Sequence, residues 1–196
     1  MNFEEAQKYR WFYTSSGKLV VGGKNAIQNE QLLRIFKAAK KDFLAMHTSE
    51  PGSPFSVIYS EIKKISKKDI QECAIFTASF SRAWKEKKKI TEVDIFNLYQ
   101  LIKSKLMKIG TWGVKGKIKK ISVPLELVLI KQKSKLRAVP ESVAKSKKQI
   151  LLKIVPGEID KQQILPKLQI TLNQEFNQDE LLSALPAGGT RIIKNE

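Results

Sequence analysis

Residues 9–23 read YRWFYTSSGKLVVGG, two short apolar runs on either side of a turn. The first run is Trp11-Phe12-Tyr13 and the second is Leu19-Val20-Val21, and such aromatic and branched aliphatic residues favour strands. Ser15-Ser16-Gly17 between them supplies residue types that tight turns need. The stretch therefore predicts an antiparallel hairpin, and with it a sheet in which neighbours along the chain pair directly.

Two well-marked helices are predicted after the hairpin. Asn29 is predicted to begin the first, because apolar residues recur at helical spacing over residues 32–39. Ser66 and Asp69 form a capping box that begins the second, whose apolar face runs over residues 70–84. The apolar positions of both helices predict that each packs one face against a core.

Short strands and two further helices account for most of the remaining chain. Strands are predicted at residues 43–48, 55–59, 94–102, 112–121, 125–131, 135–139 and 149–155. Residues 160–175 are predicted to be helical despite Pro166, and Asn177 is predicted to cap a last helix that ends at Leu185-Pro186. Because no regular strand–helix alternation is present, the fold class is predicted to be α+β. The expected architecture is a mixed, mainly antiparallel sheet with packed helices, a single compact domain whose core (1–121) carries a C-terminal α/β extension (122–196).

Positive charge is concentrated in one part of the chain. The protein of 196 residues has a formal net charge of +17. Residues 101–153 hold fifteen Lys or Arg against only Glu126 and Glu141, a net of +13. Since such self-repulsion costs stability, this concentration predicts a polyanionic partner. The apolar runs between the lysines indicate that the charge lies on folded structure.

The sequence offers little for catalysis or metal binding. Cys73 is the only cysteine and His47 the only histidine, which excludes a zinc site built from Cys and His. Cys73 lies on the apolar face of a predicted helix, so we expect a buried thiol. Asp42 and His47 are five residues apart on a predicted strand and are expected to point to opposite faces. We predict no catalytic residues, no metal and no cofactor.

Glycines in the basic segment invite a phosphate-loop interpretation that the spacing rejects. Five residues separate Gly110 from Gly116, and Ile118 follows Lys117, whereas a Walker A loop needs four residues and a hydroxyl after the lysine. Two interpretations stay open: the glycines shape a turn or bulge between strands, or they let the backbone approach an RNA phosphate. Trp112, among these glycines and lysines, is the aromatic residue expected to stack on an unpaired base.

Basic side chains in alternation are predicted to contact the RNA backbone. They are expected to share faces of strands, because side chains two apart on a strand point the same way. This predicted contact set comprises Lys115, Lys117, Lys119, Lys120, Lys131, Lys133, Lys135 and Arg137.

A series of short motifs extends over nearly the whole chain in a fixed order. They lie at residues 10–17, 22–25, 29–30, 42, 46–48, 51–55, 78–84, 110–113 and 116–117. Together they resemble the NFACT-R domain, the RNA-binding module of the NFACT family. Residues 136–145, 154–157 and 185–186 resemble the segment that follows this module in archaeal and eukaryotic members. The resemblance implies a functional groove formed by Arg10, Lys24, Asn25, His47, Ser53 and Arg82.

The resemblance also implies a role in translation. Full-length NFACT proteins bind the large ribosomal subunit when its nascent chain is obstructed, and they engage tRNA there. We therefore expect this chain to dock on large-subunit ribosomal RNA or on tRNA, in ribosome-associated quality control or in translation. No NFACT-N motif or sustained heptad pattern is seen, so tail elongation is not implied. A standalone reader is expected, with a separate NFACT-N-type protein as a further candidate partner.

Three other interpretations remain open at this stage. The lysines could bind acidic proteins or anionic surfaces, they could form merely solvated faces, or a pocket around His47 and Asp42 could be enzymatic. An acidic amino terminus unlike a signal peptide and the lack of a long apolar run predict a cytoplasmic protein without a membrane partner.

Overall fold

The computed structural model describes residues 1–172 and 176–193, which form helices and strands in a mixed order. The helices are α1 (Phe3–Ala6), α2 (Ala26–Ala38), α3 (Lys67–Ser79), α4 (Arg82–Lys85), α5 (Leu165–Leu172) and α6 (Gln178–Ala184). The strands are β1 (Arg10–Tyr13), β2 (Leu19–Gly22), β3 (Leu44–Thr48), β4 (Ser56–Tyr59), β5 (Ile90–Asn97), β6 (Leu101–Ile102), β7 (Gly113–Val114), β8 (Lys119–Pro124), β9 (Leu127–Gln132), β10 (Lys135–Val139), β11 (Leu152–Ile159) and β12 (Thr190–Ile193). Single 3₁₀ turns lie at Ile62–Lys64, Leu98–Gln100, Glu141–Val143 and Lys147–Gln149. The α+β prediction is confirmed.

The predicted hairpin is the edge of a six-stranded antiparallel sheet. β1 pairs with β2 from Arg10 opposite Gly22 to Tyr13 opposite Leu19. The strand order is β1-β2-β4-β3-β5-β8, with every pairing antiparallel. Gly17 has a φ of +83° in the hairpin turn, a conformation that favours glycine. The hairpin prediction is confirmed.

The two faces of this sheet pack into separate apolar clusters because side chains alternate along each strand. One face, which includes Trp11, packs against α2 through Leu32 and Phe36. The other face, which includes Phe12, packs against α3 through Phe76. The sheet is therefore a middle layer with a helix on each side.

A second, four-stranded sheet of order β10-β9-β11-β12 shares the cluster on the α3 side. Its buried residues, such as Leu129 and Leu152, join the same contiguous core as Phe12. Gln132 also bonds the free edge of β1: its Oε1 accepts from the Tyr13 N–H and its Nε2 donates to the Tyr13 carbonyl, both at 2.8 Å. The predicted boundary at 121/122 falls inside β8, and the division into core and extension stays a prediction.

The capping box of α3 is confirmed, and its Asp69 carboxylate also binds the hairpin turn. Ser66 Oγ accepts from the Asp69 N–H, while the Asp69 carboxylate accepts from the Ser66 N–H. This buried carboxylate also accepts from Thr14 Oγ1 at 2.6 Å and from Ser16 Oγ at 2.5 Å. Burial alone would raise the pKa of Asp69, but these hydrogen bonds outweigh it and hold the pKa far below its ordinary value. The hairpin turn is thereby attached to the start of α3.

The predicted start of α2 and the predicted end of α3 differ from the structure. α2 is capped by the Asn25 side chain, which accepts from the Gln28 N–H at 2.9 Å, so the helix begins before Asn29. The predicted helix face through residue 84 is interrupted, because α3 ends at Ser79 and Ser81 caps the separate α4. The Ser81 hydroxyl accepts from the Ala83 N–H and competes with continued helical bonding.

Several strand and helix predictions also need correction. The predicted strand 94–102 begins earlier, at Ile90, and ends at Asn97, and the predicted strand 112–121 is divided into β7 and β8. β11 continues through Pro156 with a register shift, and β12, which pairs with it, was not predicted. α5 begins at Leu165, which places Pro166 in the first turn where its missing N–H is tolerated. The predicted end of this helix, residues 173–175, lies outside the described residues, and the Asn177 cap is confirmed.

Candidate functional site

A groove of about 580 Å³ opens on the α2 side of the first sheet. Three separate segments form its walls: residues 23–26 before and at the start of α2, the 47–55 connection between β3 and β4, and residues 109–114. Arg10 and Phe80 reach it from the hairpin and from the end of α3. The groove is therefore assembled from parts of the chain up to a hundred residues apart.

The 47–55 wall is held by its own hydroxyls. The Thr48 N–H donates to Ser53 Oγ at 2.9 Å, and Thr48 Oγ1 donates to the Glu50 carbonyl at 2.6 Å. Gly52 has a φ of +102°, and its carbonyl accepts from the Arg82 N–H at 2.7 Å. A Cβ at Gly52 would lie 3.0 Å from Arg82 Cβ, so α4 and this turn are in close contact.

Asn29 joins the 47–55 wall to α2. Its buried amide donates from Nδ2 to the Ser53 carbonyl at 3.3 Å and accepts at Oδ1 from the Phe55 N–H at 3.0 Å. Gly23 leaves room for this amide, since a Cβ there would lie 2.2 Å from Asn29 Oδ1. Buried backbone groups that lose such partners are costly, so Asn29 maintains the shape of the groove.

Glu30 holds the 109–114 wall. Its buried carboxylate accepts from Lys103 Nζ at 2.8 Å, from the Gly110 N–H at 3.0 Å and from Trp112 Nε1 at 3.1 Å. Arg34 adds a further ion pair from the next turn of α2. Burial alone would raise the pKa of Glu30, but the hydrogen bonds from Lys103 and Gly110 outweigh it and lower the pKa. This single carboxylate therefore positions the Trp112 indole.

His47 lies on the groove face of β3, opposite Asp94 on β5. Its Nδ1 lies 2.7 Å from the Thr48 carbonyl, which can only accept, so Nδ1 carries the proton. The ring also packs on Phe55 with centroids 4.6 Å apart. Burial lowers the pKa of His47 in spite of the Thr48 carbonyl and Asp94, which favours a neutral ring at pH 7. Asp42 lies elsewhere, beside Leu98 and Tyr99, so the two residues do not form one pocket.

Arg10 and Lys24 supply positive charge to the groove. The Arg10 guanidinium stacks over the Phe80 ring at 4.5 Å. Burial lowers the pKa of Arg10 to about 10, so it remains charged at pH 7. Burial and the neighbouring charge of Arg10 also lower the pKa of Lys24. Cations that are partly desolvated and repel each other favour an anion beside them.

The structure brings most of the motif-derived residues together. Six line the groove: Arg10, Lys24, Asn25, His47, Ser53 and Trp112. Arg82 lies directly behind it through its contact with Gly52. Trp112 is half-buried, and its ring lies within 6 Å of the ammonium groups of Lys37 and Lys103, at 5.7 and 5.5 Å. Whether these residues contact RNA stays a prediction.

The predicted lysines outside the groove do not form one surface. Lys115 and Lys117 are exposed on the β7–β8 connection, where their carbonyls accept from Gln100 Nε2 at 3.1 and 2.8 Å. Lys119 and Lys120 are consecutive on β8 and so point to opposite faces. Lys120 shares the face of His47 and is paired with Glu92 at 2.5 Å and with Asp94 at 3.6 Å.

The basic residues between 131 and 137 lie on both faces of the second sheet. β9 and β10 form a hairpin in which Lys131 lies opposite Leu136, while Arg137 lies opposite Ile130. Lys133 and Ser134, with φ of +50° and +59°, form its two-residue turn. Because the turn reverses the chain, Lys135 and Arg137 lie on the face opposite to Lys131. Lys131 instead lies over Phe176 and Lys133 over Tyr13.

The site assignment from the sequence left out Asn29, Phe80 and Asp94, which line the groove, and Glu30, which holds its 109–114 wall. Asn29-Glu30 is one of the short motifs, but Asn29 was assigned to a helix start, and no local pattern shows that a helical Glu is buried. Cys73 is buried as predicted, and burial raises the pKa of its thiol far above the ordinary value. Within residues 1–172 and 176–193, no three His, Cys, Asp or Glu side chains cluster as metal ligands would. The same part of the chain has no helix long and apolar enough to span a membrane.

Comparisons with known proteins agree with this picture. The chain is 38% identical over 79 residues to the archaeal Rqc2 homolog aRqcH of Methanocaldococcus jannaschii, a match that covers 40% of this chain and 11% of the relative. It is similar in structure to the C-terminal part of the fibronectin/fibrinogen-binding protein from Streptococcus suis. That similarity has a TM-score of 0.52 at 28% identity, over 59% of this chain and 44% of the other. The chain thus spans only a small part of the first relative and less than half of the second.

The family model for the RNA-binding domain of NFACT proteins matches residues 8–116. That range contains the hairpin, both groove-forming helices and all three walls of the groove. Together with the archaeal relative, the match supports an RNA-binding role. The chain belongs to the family of NFACT RNA-binding domains.

Proposed function

We propose that the groove binds structured RNA of the large ribosomal subunit or tRNA. The observation that carries the proposal is that six residues implied by the motifs, from Arg10 to Trp112, line one cavity of about 580 Å³. Arg10 and Lys24 are suited to phosphate oxygens. The Trp112 indole, held by Glu30, is suited to stacking on an unpaired base.

Basic side chains around the groove would contribute to affinity through phosphate neutralisation. Most of the predicted contact set makes no ion pair with any carboxylate in the described parts of the chain; these residues are Lys115, Lys117, Lys119, Lys131, Lys133, Lys135 and Arg137. They lie on different faces, so they suit an RNA that wraps around the protein better than a flat contact. If six to eight phosphates are neutralised, affinity should fall by about 10³-fold or more between 50 and 200 mM salt.

The relatives point to the ribosome as the setting. The archaeal relative is named an Rqc2 homolog, and the NFACT resemblance implies the large subunit and tRNA as partners. A separate protein of NFACT-N type is proposed as a further partner. We propose a role in ribosome-associated quality control or translation, in the cytoplasm.

Crosslinking in cells, followed by recovery and sequencing of bound RNA, tests the proposal. Enrichment of ribosomal RNA or tRNA is the expected result, and RNA no richer than background would overturn it. Binding of purified tRNA in vitro adds a matched pair of variants. Lys24→Gln should weaken binding several-fold, whereas Lys68→Gln, an equal loss of charge at an exposed site on α3, should change it by less than about twofold.

A further inference from the structure

A small second cavity of about 60 Å³ lies next to the groove, between the two sheets. Arg10 and Lys24 line both cavities, so the two are contiguous. Arg137 of β10 adds a third cation to the second cavity, which we call the basic pocket, and Trp11 of β1 also lines it. It is therefore built jointly by the first sheet and by the segment that follows it.

The cations of the basic pocket are held in place by aromatic rings. The Arg137 guanidinium stacks over Trp11 at 4.2 Å, as that of Arg10 does over Phe80 at 4.5 Å. A stacked guanidinium presents its N–H groups outward in its own plane, ready for an anion. Arg137 Nε and Trp11 Nε1 are both buried, and neither has a hydrogen-bond partner in the described residues. Both residues line the basic pocket, and buried donors need acceptors.

Charge in the pocket is only partly balanced. No carboxylate of the described chain lies within ion-pair distance of Arg10, Lys24 or Arg137. Glu180 of α6 is near enough to act on Arg137, but it accepts from the Leu136 N–H at 2.6 Å. Counting Glu180, three cations leave a net charge of +2.

Lys161 lies near Arg10 and also near Asp160, so the Lys161–Asp160 pair leaves the net charge at +2. Burial and the charge of Arg10 lower the pKa of Lys161 to about 8, against the opposing effect of Asp160. Its ammonium donates to the Leu185 carbonyl at 3.1 Å. Burial lowers the pKa of both Lys24 and Lys161, and the charge of Arg10 lowers each of them further, a repulsion that a bound anion would relieve.

We propose that the basic pocket binds a terminal phosphate monoester of the RNA that occupies the groove. The volume holds about four or five water molecules, the size of one phosphate group with its five heavy atoms. A monoester dianion matches the net charge of +2. An internal phosphodiester carries a single negative charge, and the RNA strand would have to leave the pocket on both sides of it. The source of the phosphate rests on the proposed RNA-binding function, whereas the phosphate chemistry rests on the pocket alone.

Fluorescence anisotropy with three versions of one single-stranded RNA, labelled internally, tests the proposal. The versions carry a 5′-hydroxyl, a 5′-phosphate or a 3′-phosphate. We expect one terminal phosphate to tighten binding by the natural protein about tenfold. Arg137→Gln should remove that difference, whereas Lys135→Gln, an equal loss of charge on the same strand, should retain it. Equal affinity of the natural protein for all three RNAs would overturn the proposal.

Thermal unfolding with inorganic phosphate, against chloride at the same ionic strength, separates the pocket from RNA binding. Phosphate should raise the Tm of the natural protein but not that of Arg137→Gln or of Lys24→Gln, a substitution at an exposed residue. Circular dichroism verifies that both variants fold. If RNA fails to bind while phosphate still stabilises only the natural protein, the RNA function is overturned and the phosphate site stands. If phosphate has no selective effect, the site is overturned even where RNA binds.

Discussion

Replacing Glu30 with glutamine should destabilise the protein and open one wall of the groove. The Lys103–Glu30 pair is nearly enclosed, with side chains 16% and 11% exposed, whereas Arg34 is 65% exposed and contributes under about 1 kcal/mol. Removing one partner of a buried pair costs about 3 to 5 kcal/mol, because the other charge is left uncompensated. We take the lower end, about 3 kcal/mol, since the freed Lys103 also donates to the Lys108 and Thr111 carbonyls.

Urea unfolding and RNA binding together measure this effect. A loss of about 3 kcal/mol corresponds to a fall in Tm of roughly 6 to 12 °C in a chain of this size. RNA affinity should fall at least about fivefold, because Trp112 loses the acceptor that positions it. Glu61→Gln is the control: its pair with Lys64 is exposed on both sides, so this substitution should leave the Tm unchanged. A Glu30→Gln protein as stable as the Glu61 control, with unchanged RNA affinity, would refute the role assigned to Glu30.

Three further outcomes are expected. Asp69→Asn should lower the free energy of unfolding by about 3 kcal/mol at pH 7. Because the pKa of Asp69 is lowered in the folded state, its stabilisation is present above about pH 4 and is lost as the pH falls. The urea midpoints of the natural protein and the variant should therefore converge in acid. Asn29→Ala should cost about 1 to 3 kcal/mol by leaving the Phe55 N–H and the Ser53 carbonyl unpaired, a loss that calorimetry would detect. Gly23→Ala should lower both the Tm and the RNA affinity, because the added Cβ would lie 2.2 Å from Asn29 Oδ1 and 2.8 Å from the Asn29 backbone N; a variant with unchanged Tm and unchanged RNA affinity would contradict this.

Local features of the sequence were sufficient wherever neighbouring residues decide the structure. The hairpin at residues 9–23, the Ser66–Asp69 capping box and the Asn177 cap depend on contacts within a few residues, and all three are confirmed. Net charge likewise follows from composition alone. The start of α2 was misplaced because Asn25 and Asn29 are equally good caps in isolation, and only the burial of Asn29 against Ser53 and Phe55 decides between them.

Positions of charges on the surface were the least predictable part of the site. Alternation relates side chains within one strand, but the two-residue turn decides that Lys131 and Arg137 lie on opposite faces of their hairpin. The burial of Glu30 had no signal either, because its main partner is 73 residues away. A helix that exposes one face usually carries its acids there, and only long-range contact makes this one an exception.

The sequence by itself determined the fold class, the sign of the partner's charge and the family, because each depends on residue type, local order and spacing. Only the tertiary structure decided that Arg10, His47 and Trp112 share one groove, and that Arg137 from the later segment joins Arg10 beside it. The physical reason is that these contacts close loops of tens to more than a hundred residues. Their geometry is set by how the two sheets and α3 bury a common core, and no local pattern records that packing.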